Sequence, residues 1–182
     1  MLVKQGRARI KRYGWLFTCL AIRAVRIETA HLLDTDSFID ALCRFIARRG
    51  KPVEVRSDRG TNFEGGEREL REAVVEWNEA QVNKFLCQKE IKLVFNPSAA
   101  SHMGGVWERL ICSVKRILKV LLTEQLVTDE TLLTTIDEVE AILYSRPITS
   151  NSDCPTDAEP SATPNHLLLL QRNRALLPGI NT

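Results

Sequence analysis

Two carboxylates stand in settings suited to metal-dependent chemistry on nucleic acid. Asp58 lies in Ser57-Asp58-Arg59-Gly60-Thr61-Asn62-Phe63, and Glu108 lies in His102-Met103-Gly104-Gly105-Val106-Trp107-Glu108-Arg109. Chemistry with two metal ions about 3.5 to 4 Å apart usually needs a third carboxylate to bridge them, which these residues do not offer. Asp58 ends a short strand pattern, and Glu108 opens a helix pattern behind Gly104-Gly105, where missing side chains permit close approach of backbone and ligand. At about 100° per residue, Glu108, Cys112, Lys115 and Lys119 share one helix face, and Val106, Leu110, Ile117 and Leu121 share the opposite one. On that polar face the lysines would meet phosphates, and His102 could help position nucleic acid.

Each feature has an ordinary reading. Asp58-Arg59-Gly60 forms a good turn, since Asp and Gly favour turns for hydrogen-bonding and steric reasons. Glu108 with Lys115 and Lys119 makes a normal wet helix face. A lone His102 is more often a hydrogen-bonding residue at a helix entry, and Trp107 suits packing. Taken singly, these readings win. The combination of an acid at a strand end, an acid at a glycine-led helix start and lysines beside it shifts the weight toward a site.

The chain has 182 residues, 44% of them hydrophobic, which suits one ordinary core over residues 1–149 with an extended Pro-containing tail over 150–182. The net charge of +2 hides an uneven distribution. Residues 1–12 hold Lys4, Arg7, Arg9, Lys11 and Arg12 with no acid, whereas 64–90 hold seven Glu against four Lys or Arg. Cys19, Cys43, Cys87, Cys112 and Cys154 never approach a C-x-x-C spacing, which argues against a zinc site and for free thiols in a reducing compartment. No apolar run reaches bilayer length and no signal-peptide core follows Met1, so an intracellular, non-membrane protein is expected.

The elements that would position the acids follow from periodicity. Trp15 to Ile22 is a nearly continuous apolar run, expected as a strand covered on both faces. Val25 to Ala30 alternates, and a hairpin through Arg23-Ala24 would join the two. Asp34 or Thr35 caps a helix bearing Phe38, Ile39, Leu42, Phe45 and Ile46, with Arg48 and Arg49 at its negative end and Gly50 and Pro52 stopping it. Short strands are expected at 53–57 and 91–95, with an exposed, partly helical insertion at 64–90 between them. A long helix runs from about Gly105 to Gln125. Another begins near Thr128, carries Leu132, Leu133, Ile136, Val139 and Leu143, and ends at Pro147. Leu167 to Leu170 is the one strongly apolar stretch of the tail, suited to docking on the core.

Several ordered strings then resemble the integrase catalytic domain of Pao/BEL-type long-terminal-repeat retrotransposons. They include Lys11-Arg12-Tyr13-Gly14, Phe17-Thr18-Cys19-Leu20, Leu33-Asp34-Thr35-Asp36-Ser37-Phe38 and Phe45-Ile46-Ala47-Arg48-Arg49-Gly50. Ser57-Asp58, Gly60-Thr61-Asn62-Phe63, His102 to Arg109, Ser145-Arg146-Pro147 and Thr163-Pro164-Asn165-His166 continue the match in order. The resemblance implies an α/β, ribonuclease-H-like fold: a mixed five-stranded sheet flanked by helices, carrying an Asp, Asp, Glu triad that holds two Mg²⁺ (or Mn²⁺) ions. Asp58 matches the second acid and Glu108 the third, as catalytic and metal-binding residues. The first belongs to an Asp-Tyr-Phe-Gly-Pro-like strand just before the counterpart of Leu2-Val3-Lys4, so the first strand is expected to be largely truncated here.

The implied partners are DNA, as element ends and target, and a further copy of the chain, in the nucleus or cytoplasm. The expected nucleic-acid contacts are Lys115, Lys119, His102, Asn62, Lys4, Arg7, Arg9, Lys11 and Arg12. Arg59 stands where the family usually has Asn, and Arg26 where it usually has His. A guanidinium beside Asp58 would compete with Mg²⁺ for that carboxylate. Three readings follow: an integrase core performing metal-dependent strand transfer, inactive without its first acid; a non-catalytic nucleic-acid-binding relic; and, more remotely, a ribonuclease of the same fold.

Overall fold

The computed structural model describes residues 1–57, 78–96, 105–122, 127–148 and 162–169. The chain opens with a hairpin of β1 (Leu2–Gln5) and β2 (Ala8–Lys11), paired antiparallel with Val3 opposite Ile10 and Lys4 opposite Arg9. Its two-residue turn places Gly6 at φ 60, where a tight hairpin needs a left-handed residue. The second hairpin joins β3 (Tyr13–Thr18) to β4 (Val25–Ala30), with Leu16 opposite Ile27 and Phe17 opposite Arg26.

Helix α1 (Thr35–Arg49) starts where Asp34 Oδ1 accepts the Ser37 N–H at 2.8 Å and ends at Gly50, φ 87. Parallel strands β5 (Glu54–Ser57) and β6 (Lys92–Phe95) flank α2 (Glu79–Gln88), which is capped by Asn78. Helices α3 (Gly105–Leu122), α4 (Asp129–Ser145) and the short α5 (Pro164–Leu169) complete the described elements.

The β3–β4 pair is the middle layer. Side chains alternate across it, so Trp15 and Phe17 pack with Phe38, Leu42, Val82 and Leu86 of α1 and α2. Leu16, Val25 and Ile27 pack on the other side with Leu110, Val114, Leu132, Ile136 and Val139 of α3 and α4. Trp15 meets Phe38 edge-on at 5.0 Å, and Phe17 stacks on Phe45 at 4.7 Å. Such aromatic pairs add about 0.5–1.5 kcal/mol beyond burial. The expected two-sided cover of this strand is present, but the strand is shorter than its apolar run. It stops at Thr18, because Cys19 and Ala24 close a loop through Cys19 N–H to Ala24 O (2.8 Å) and Arg23 N–H to Cys19 O (2.9 Å), leaving Leu20 42% exposed.

The α/β class that the resemblance implies is present, as helices with small sheets among the described residues, and the first strand is expected to be largely truncated here. The described strands form three separate two-stranded pairs, and no strand lies between the β3–β4 and β5–β6 pairs among the described residues. Leu2-Val3-Lys4 turns back on β2 instead, with Val3 bridging in parallel to Val127. Within 64–90, residues 79–88 are more than a water-facing excursion: Val82 and Leu86 are fully buried against α1. In the tail, the described part is helical. Pro164 is buried and Leu168 packs on the α3–α4 core, while Ile148 N–H donates to Ala162 O at 2.8 Å.

Candidate nucleic-acid and metal site

Glu108 lies in the first turn of α3, where unpaired backbone N–H groups favour an anion by about 0.3–1 kcal/mol at an exposed position. Leu110 and Val114 are buried and Val106 and Ile117 pack beside them, which turns Glu108, Cys112, Lys115 and Lys119 outward along one stripe. Leu121, expected on the apolar side, is 37% exposed near the helix end. Arg109 and Arg116 are also exposed, on the flank of the stripe about 80–100° away. Grouping residues around a single direction missed them, although Arg116 follows Lys115 directly. Arg109 Nε is held by Gly105 O at 2.9 Å. Among the described residues, Glu108, Lys115, Arg116 and Lys119 have no ion-pair partner, so α3 offers bare cations beside one bare carboxylate.

Asp58, Asn62 and His102 lie outside the described residues, but the strand that leads to Asp58 does not. Ser57, the last residue of β5, is in register with Phe95, the last of β6, and Asn96 N–H donates to Ser57 O at 2.9 Å. The two parallel strands therefore end together. One continues into Asp58 and the other into residues 97–104, which lead to α3 and Glu108. Carboxyl ends of parallel strands are where α/β folds place ligands, since the crossing loops leave a crevice there. No three His, Cys, Asp or Glu side chains gather around a metal-sized space among the described residues. Glu108 alone brings a hard oxygen donor of the kind Mg²⁺ takes, and one carboxylate is too few for a two-ion centre.

The basic amino-terminal segment divides into two roles. Lys4, Arg7, Arg9 and Lys11 are exposed, and the β1–β2 register sets Lys4 directly opposite Arg9, a like-charged pair that a bound anion would relieve. Arg12, expected among the phosphate contacts, differs from these four in its setting. It is 4% exposed, and its Nε and Nη2 each meet an Asp129 carboxylate oxygen at 2.8 Å. This bidentate bond holds Asp129 below the ordinary carboxylate range and fastens the hairpin to the start of α4.

Two buried carboxylates escaped sequence reasoning altogether. Glu28 on β4, 3% exposed, accepts from Arg26 (2.8 Å), Arg44 (3.0 Å) and Arg48 (2.6 Å). Burial pushes its pKa up, but the three guanidiniums outweigh that and leave it lowered. Glu140 on α4 accepts the Ile27 N–H (2.7 Å), Arg26 (3.1 Å) and the Tyr144 hydroxyl (3.1 Å). Arg26 thus bridges β4 to α4, an ion-pair role that its alternating strand position did not reveal. This network clamps α1 and α4 onto opposite faces of β4 and so sets the frame that carries α3.

No family model matches the sequence, and no curated protein matches it. Solved structures do match. The magnesium complex of the HTLV-2 integrase catalytic core domain in its dimeric form aligns with a TM-score of 0.52 at 18% identity, covering 84% of this chain and 86% of that one. The trimeric form aligns at 0.51 and 17% identity, covering 82% and 83%. The simian T-cell lymphotropic virus intasome, in complex with PP2A regulatory subunit B56 gamma, aligns at 0.55 and 14% identity, covering all of this chain and 55% of that one. The chain therefore has the fold of an integrase catalytic core.

Proposed function

We propose that this chain is a DNA-binding integrase catalytic core of the Pao/BEL retrotransposon type, with Asp58 and Glu108 as two of its metal-binding acids. The shared end of β5 and β6 supports this reading, because in sequence Asp58 follows Ser57 at that end, and residues 97–104 lead on from Asn96 to α3 and Glu108. The integrase-core fold and the ordered motif strings support it. Asp58 and Glu108 would hold Mg²⁺, which when bound supplies a Lewis acid for phosphodiester chemistry. The protein's own residues do the rest: Lys115, Arg116 and Lys119 seat phosphates beside Glu108, and Lys4, Arg7, Arg9 and Lys11 hold a further stretch of backbone. Strand transfer needs a third carboxylate in addition to these two. Self-association belongs to the same reading, since the aligned HTLV-2 cores are described in dimeric and trimeric forms.

The test is fluorescence anisotropy with a labelled duplex, with and without Mg²⁺. The expected result is sequence-independent binding that steepens with falling salt, plus a Mg²⁺-dependent increment that Glu108→Gln removes while leaving metal-free binding intact. Binding without salt dependence, or an undiminished Mg²⁺ increment in Glu108→Gln, would contradict the reading.

A further inference from the structure

The loop joining β3 to β4 meets the carboxyl end of α4 at a place where neither the Glu108 stripe nor the basic hairpin takes part. Ala24 and Val25 belong to the same buried cluster as Leu143 and Tyr144, and the Tyr144 hydroxyl donates to Val25 O. Arg23 stands two residues before Val25, and Arg146, the residue that caps α4, stands two residues after Tyr144. That hydrogen bond brings the β3–β4 loop to the end of α4, where the Arg23 charge acts on Arg146. Both are half-buried. Arg23 holds a left-handed φ of 57, uncommon for a residue with a Cβ, and its N–H is fixed by Cys19 O at 2.9 Å. Burial lowers the affinity of Arg146 for its proton, and the neighbouring Arg23 charge lowers it further.

The buried and half-buried arginines Arg12, Arg26 and Arg44 each end on a carboxylate. Arg23 and Arg146 do not: among the described residues neither has an acceptor. Carbonyls at the end of α4 offset part of one charge, but one helix end faces two cations. A doubly charged acceptor-rich anion answers this arrangement, because a guanidinium fork matches the oxygens of a phosphate and two forks can share it.

We propose that Arg23 and Arg146 together form an anion site that takes a phosphate group. The same chemistry is offered by inorganic phosphate and by a nucleic-acid phosphodiester. Only the second source rests on the DNA-binding function proposed above.

The full chain is unfolded thermally in chloride buffer of fixed ionic strength while inorganic phosphate replaces chloride. A saturable rise in Tm is expected. Arg23→Gln keeps a Cβ in the left-handed conformation, so its effect reports charge: it should raise Tm without phosphate and cancel the phosphate increment. Arg146→Lys keeps the charge but loses the fork and should weaken the increment. An increment unchanged in both variants would overturn the site. So would its absence in the parent chain together with a Tm loss on Asp153→Asn or Asp157→Asn, which would assign the arginines to the chain's own tail. A second arm uses a DNA duplex: if the phosphodiester is the ligand, Arg23→Gln makes the salt slope shallower by about one. An unchanged slope with a retained phosphate increment assigns the site to free phosphate, even if DNA binding by the chain fails altogether.

Discussion

Replacing Lys115 and Lys119 by Glu tests the α3 face as a phosphate-binding surface. Seven exposed cations are the proposed phosphate contacts: Lys115, Arg116 and Lys119 on α3, and Lys4, Arg7, Arg9 and Lys11 on the hairpin. With full engagement, log K falls against log salt with a slope of about −6, a loss of roughly 10³- to 10⁴-fold between 50 and 200 mM salt. Removing two contacts should bring the slope to about −4.5. Because each contact multiplies affinity by about eightfold at 0.1 M salt, the double variant should bind on the order of 50-fold more weakly, and equally so for unrelated duplex sequences. Both lysines are exposed and lack ion pairs among the described residues, so the fold should survive the change. Anisotropy titrations over 50–200 mM salt, with circular dichroism to confirm folding, measure both quantities. A folded double variant with the parent slope would refute the assignment of this face.

Arg12→Gln should act oppositely: the salt slope stays unchanged, while Tm falls because the hairpin loses its bidentate hold on Asp129. A parent-like Tm with a shallower slope would return Arg12 to the DNA-binding set. Glu28→Gln should cost about 3 kcal/mol, the low end for breaking a buried pair, since Arg44 and Arg48 are 41% and 51% exposed and can turn to water. That corresponds to a Tm drop of roughly 6–12 °C, and a change under about 1 °C would refute the clamp. Because the folded pKa of Glu28 is lowered, its contribution is complete above the unfolded value near 4.5 and is lost as pH falls through the folded value. Acid unfolding below about pH 4.5 should accordingly be shallower in Glu28→Gln, as chemical denaturation across pH will show. Arg59→Asn, which removes a guanidinium that would compete for Asp58, should enlarge the Mg²⁺-dependent increment in duplex binding; an unchanged increment in anisotropy titrations would contradict that competition.

Local elements were legible because their causes are local. Asp34 and Gly50 bracket α1 by hydrogen bonding and backbone freedom, and the period of Leu110 and Val114 against Lys115 and Lys119 turned α3 the right way out. The end of β3 was not legible. Leu20 and Ala21 continue the apolar run, and only the Cys19–Ala24 hydrogen bonds reveal that the strand has stopped. Glu28 and Glu140 were not legible either, since Arg26 and Glu140 are 114 residues apart and periodicity carries no record of such a partner. Arg12 read like its basic neighbours for the same reason, its carboxylate lying 117 residues away. Of the site itself, the sequence singled out Glu108 and its lysines, while the ribonuclease-H-like sheet with its truncated first strand came from the resemblance alone, and the described strands form three separate pairs.

In the proposed site, Asp58 and Glu108 hold one metal ion close to the residues that end β5 and β6. Adding Mn²⁺ to the ¹⁵N-labelled chain tests it directly, because the ion broadens nearby amide signals. Broadening should centre on Ser57, Asn96 and the first turn of α3, be displaced by excess Mg²⁺ and be lost in both Asp58→Asn and Glu108→Gln. Broadening centred elsewhere, or the same pattern surviving in either variant, would contradict it.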